Sequence, residues 1–92
     1  MLAINFVWVF HGPRAQFASG VFSSQERAEE WIALHQLSGL LTRYPLDEGA
    51  YQWAVSEGTF KPKRDDQKIA EFIARFADGS VHHHYEAGTR ST

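Results

Sequence analysis

Ninety-two residues can enclose one hydrophobic core, and seven Phe, three Trp and three Tyr supply large side chains to fill it without covalent staples. The chain has no cysteine, which excludes disulfides, thiolate zinc sites, iron–sulfur clusters and cysteine nucleophiles and suits a reducing cytoplasm, the expected location. A formal net charge of −2 gives no electrostatic reason to expect nucleic acid or an anionic membrane as partner.

The opening MLAINFVWVF is apolar but lacks a basic leader, is too short to span a bilayer and runs into HGPR without a cleavage motif, so it reads as a strand. Across residues 4–10, Ile4, Phe6, Trp8 and Phe10 alternate with Val7 and Val9. Apolar residues on both sides predict an interior strand covered on both faces, the central one of its sheet. Gly12-Pro13 breaks it, and FASGVF resumes as an antiparallel hairpin partner with Gly20 as a candidate bulge. Ser23 and Glu26 have the spacing of a capping box, and Ala28, Trp31, Ile32 and His35 fall at i, i+3, i+4, i+7, which predicts a helix over 24–37 ended by Gly39.

GLLTRYPL, residues 39–46, predicts a third strand that stops pairing at Pro45. Asp47 is placed to cap a short helix in which Tyr51, Ala54 and Val55 share a face, with Gly58 at its C-terminus. After the loop FKPKRDD, Asp65 or Asp66 is placed to cap a helix carrying Ile69, Phe72, Ile73 and Phe76, ended by Asp78-Gly79. VHHHYE is the last predicted strand. The order β-β-α-β-α-α-β predicts an α+β fold: a single small domain over residues 1–88 with an antiparallel or mixed sheet of about four strands and two to three helices, followed by a disordered tail at 89–92.

Three segments, WVFHG (8–12), SGLLTRYPLDEGAYQWAV (38–55) and HHHYEAG (82–88), resemble in order and spacing a family of small bacterial proteins known only as a domain of unknown function. The resemblance implies a stand-alone bacterial domain and lends no activity. His83 stands where the family leads one to expect an aromatic residue.

The run of three histidines is the most chemical feature of the chain. On a strand, His82, His84 and Glu86 project to one side and Val81, His83 and Tyr85 to the other, so only an H-x-H pair with a nearby carboxylate is available. Such a pair could ligate zinc if Glu86, His11 or His35 supplied a third ligand, and His11 would come close if the first and last strands were neighbours. The competing reading is that these are sheet residues bonded to backbone or water. No nucleophile elbow, dinucleotide fingerprint or phosphate loop occurs, Asp47-Glu48 and Asp65-Asp66 stand where helix caps are wanted, and KPKR is balanced by the acids that follow it. Trp53 lies off the apolar stripe of its helix, and with Tyr44, Asp47 and Glu48 it forms a candidate interface.

The functional expectation is a protein-binding module, a regulatory partner or an immunity-type protein, that meets an unidentified protein partner or a second copy and needs no cofactor. The alternative is a small metal-dependent or histidine-based enzyme centred on His82, His84 and Glu86.

Overall fold

The computed structural model describes residues 5–62, 70–77, 79 and 81–91. Strand β1, Phe6–His11, pairs antiparallel with the three-residue β2, Gly20–Phe22, through Trp8–Phe22, Val9–Val21 and Phe10–Gly20. On its other side it pairs antiparallel with β3, Gly39–Pro45, from Phe6–Pro45 to His11–Leu40. β3 then pairs with β4, His82–Glu86, and β4 with the two-residue β5, Thr89–Arg90, which gives a five-stranded antiparallel sheet in the order β2-β1-β3-β4-β5. The fold class is the α+β expected, with one more strand. β5 arises where a tail was expected, because Ala87 and Gly88 take positive φ and reverse the chain. The sequence-based centre also moves: β1 is interior, but β3 is the central strand, and β3 separates β1 from β4.

Helix α1, Gln25–Leu34, covers one face of the sheet. Phe10, Ala28, Ile32, Leu41 and Tyr85 form the buried core, with Trp8, Phe22, Trp31 and Leu37 packed against it. The cap is Ser24 rather than Ser23: its side chain accepts from the Arg27 N–H at 3.2 Å, so Glu26 falls in the first turn instead of closing a capping box. The helix also stops earlier than expected. Gln36, with φ 52°, takes the left-handed turn that Gly39 was expected to supply, His35 becomes the exposed C-cap residue, and Gly39 opens β3 instead.

Helix α2, Ala50–Ser56, begins at Gly49 without a side-chain cap, since Asp47 sits in a left-handed turn (φ 63°) two residues earlier. Gly58 ends it with φ 79°, as its position predicted. Of the predicted apolar face, Ala54 is buried and Tyr51 half-buried, but Val55 is exposed. Helix α3, Ala70–Arg75, joins α2 through an aromatic cluster separate from the main core: Tyr51 meets Phe76 edge to face with ring centres 5.5 Å apart, and Phe60 lies 4.9 Å from Phe76. Ile73 is exposed. The expected caps Asp65 and Asp66, and Ile4, Ile69 and Asp78, lie outside the described residues, as does part of KPKR.

Candidate functional face

Strand alternation and register sort the sheet residues onto two faces. Phe6, Trp8 and Phe10 share the α1 side with Leu41, Arg43, His83 and Tyr85. The other face carries three cross-strand rows: His11, Leu40 and His84; Val9, Thr42 and His82; Val7 and Tyr44. Val9 extends the middle row to Val21 on β2. Among the described residues no helix lies across this second face, so β1 is not covered on both sides as its apolar pattern suggested. Val21 is 63% exposed and Val7, Val9, Leu40 and Tyr44 are half-buried, while Thr42 at the centre of the face is buried.

The histidines divide as alternation requires. His83 turns to the α1 side and stacks on Trp8 with the rings 11° from parallel, so packing accounts for it. His82 and His84 are exposed on the second face, their ring centres 5.0 Å apart and nearly perpendicular. The His82 Nδ1 bonds the Gly79 carbonyl. A carbonyl only accepts, so Nδ1 carries the proton and a neutral ring presents Nε2 as an acceptor.

His84 stands between two depressions. A hollow of about 190 Å³ has Leu40, Thr42 and Tyr44 as its floor and His82, His84, Ala77 and Gly79 as its walls. A wider open groove of about 730 Å³ runs between the β1–β2 turn and the end of β4, past His11, Arg14, Ser38, His84 and Glu86. His11 and His84 are therefore on one face and in one row, but with Leu40 between them; two strand spacings put their backbones roughly 9–10 Å apart. Because β3 intervenes, the first and last predicted strands are not neighbours. Among the described residues, no group of three His, Cys, Asp or Glu is placed to hold a metal ion.

The candidate interface residues lie at the opposite end of the sheet. Trp53 is half-buried and meets Phe6 edge to face at 5.8 Å, while Arg43 lies 4.1 Å over the Phe6 ring. Trp53 and Tyr44 both line a small enclosed space with Phe6, Pro45 and Ala50; Asp47 and Glu48 are exposed beside it. Trp53 thus packs against the strand pair that precedes it. The aromatic side chain most open to solvent is Phe17, 80% exposed in the β1–β2 loop. Its place in FASGVF reads as strand, but β2 begins only at Gly20, so alternation could not reveal it.

A family model matches residues 7–91. The chain belongs to DUF7710, a domain of unknown function. It matches no curated protein and no solved structure. The match runs from the second residue of β1 to the residue after β5, so in this DUF7710 domain it takes in all of the sheet but Phe6, both depressions and the turn bearing Arg14. No helix among the described residues is long and apolar enough to cross a membrane.

Proposed function

We propose that this DUF7710 domain is a protein-binding module of the regulatory or immunity type, acting in a bacterial cytoplasm, and that its contact surface is the sheet face opposite α1. The observation that carries the reading is the pair Val21 and Val9 with Val7 beside it, apolar side chains with no helix across them among the described residues. The molecule measures 45 × 37 × 21 Å, and its short dimension is the depth of one sheet backed by one helix layer. Its radius of gyration, 14.7 Å, exceeds the roughly 12 Å of a compact chain of this length. Apolar surface left at the face of so thin a molecule favours association. Phe17, on the same hairpin as Val21, adds an aromatic anchor.

The occupant is a second copy of the chain. This apolar patch carries no formal charge apart from any on its flanking histidines, so two copies can meet across a two-fold axis without like-charge repulsion. Sedimentation equilibrium on the wild type and on a Val9→Lys/Val21→Lys variant tests this. A concentration-dependent dimer that the variant loses supports the reading; a wild type that stays monomeric up to millimolar concentration overturns it.

A further inference from the structure

The turn that closes β1 is built in a way its own stability does not favour. The Ala15 N–H bonds the Gly12 carbonyl at 3.1 Å, Pro13 occupies the first central position, and Arg14 the second with φ 63°. These are the marks of a type II turn, whose second central position favours glycine because a Cβ is strained there. An arginine in this position lines the wide groove from above, with His11 at the end of β1 and His84 on β4 along its floor. Strain of this kind, found beside a cleft, points to a ligand-binding role for the side chain that carries it.

We propose that this groove binds a phosphate monoester through Arg14, His11 and His84. His11 and His84 flank Leu40 in one row, and their spacing leaves room over Leu40 for a tetrahedral oxyanion that accepts a hydrogen bond from each imidazole. A neutral imidazole has one N–H to give, so neither ring must be charged to take part. The guanidinium supplies the formal positive charge and a planar fork matched to two phosphate oxygens. Ser38 and Ser91 border the same groove, although the Ser38 hydroxyl already accepts from the Ala87 N–H at 2.9 Å. Glu86 is the one carboxylate on the lining. It opposes a bare dianion and suits an ester whose alcohol part presents a hydroxyl or amine to it.

The test is NMR titration of isotope-labelled full chain with inorganic phosphate and with glycerol 3-phosphate, at ionic strength matched with chloride. The expected result is saturable shifts of the His11 and His84 ring signals and of the Arg14 Nε–H. His83, on the other side of the sheet, should not move, and glycerol 3-phosphate should bind more tightly than phosphate. Arg14→Gly should weaken binding by about tenfold or more while leaving the melting temperature unchanged or higher, because glycine accepts the turn's φ. Shifts that never saturate, that chloride reproduces or that His83 shares would overturn the proposal, as would an Arg14→Gly protein that binds like the wild type.

Discussion

The Tyr85 hydroxyl on β4 donates a 2.6 Å hydrogen bond to Glu29 on α1, joining helix to sheet across a separation of 56 residues. Gln25, one turn earlier on the helix, donates to the same carboxylate oxygen at 3.3 Å. The phenol proton is the main reason that the Glu29 carboxyl is held below its usual range. The phenol itself is pushed well above its own range, first by burial and then by the carboxylate it faces. A carboxyl with a lowered folded-state pKa stabilises the fold fully above its unfolded titration near pH 4.5 and loses that contribution as the pH falls through the lower folded value. A phenol with a raised pKa does the reverse, contributing fully below pH 10.0 and losing the contribution as the pH rises further. Urea unfolding followed against pH should show a plateau with a fall at each end. Tyr85→Phe should lower the plateau by about 1 kcal/mol and flatten both limbs. Limbs identical in the variant and the wild type would contradict this account.

Gly39 is the most closely approached glycine of the sheet. A Cβ there would lie 2.3 Å from the His11 carbonyl oxygen and 2.6 Å from the Phe10 ring, so the central strand and the buried Phe10 would both have to shift. Gly39→Ala is expected to cost about 3 kcal/mol, at the upper end of overpacking penalties. Gly49→Ala is the control, because nothing lies within 4 Å of the place its methyl group would take. Thermal unfolding of the two variants side by side checks the pair, and equal melting temperatures would show that β3 can move away.

What the sequence reveals follows from which signals are local. Alternation is a property of each strand by itself, so the opposite aims of His82, His84 and His83 were legible, and helical spacing found Ala28 and Ile32 as the buried stripe of α1. Strand order depends on pairings between distant segments, and nothing in β1 announces that β3 will lie between it and β4. Coverage fails for the same reason: Val7 and Val9 read as buried because they are apolar, whereas burial depends on what packs above them. Caps failed differently. Ser23 has the spacing of a capping box, but its neighbour Ser24 carries the same side chain one residue closer to the helix, and its hydroxyl accepts from the Arg27 N–H. The wide groove could not be read from sequence because its walls come from three separated stretches around Arg14, Ser38 and His84.

Trp53 and Phe6 form the link between α2 and the sheet, which makes their contribution to stability measurable. Trp53→Ala should destabilise the protein by about 2 kcal/mol, less than the 3–5 kcal/mol of a fully buried aromatic because the ring is half-exposed. A double-mutant cycle with Phe6→Leu should return a coupling of about 0.5–1.5 kcal/mol for the edge-to-face contact. Additive losses would place the energy of Trp53 elsewhere, in the small enclosed space that it lines with Pro45 and Ala50.

The histidine pair sets the last expectation, which concerns zinc. His82 and His84 present two rings on one face, but a catalytic zinc usually needs three protein ligands and a structural one four. His11 is held a full strand away by β3. Glu86 shares the face but continues along β4 beyond His84, where it borders the wide groove rather than the hollow that His82 lines. The bond from His82 Nδ1 to Gly79 fixes that ring's tautomer and leaves only Nε2 for a ligand bond. Tag-free protein should therefore carry no stoichiometric zinc by elemental analysis. Because both rings are exposed, His82→Ala/His84→Ala should change stability by no more than about 1 kcal/mol. One equivalent of zinc in the wild type that disappears in the double variant would reverse this expectation and favour the metal-dependent enzyme.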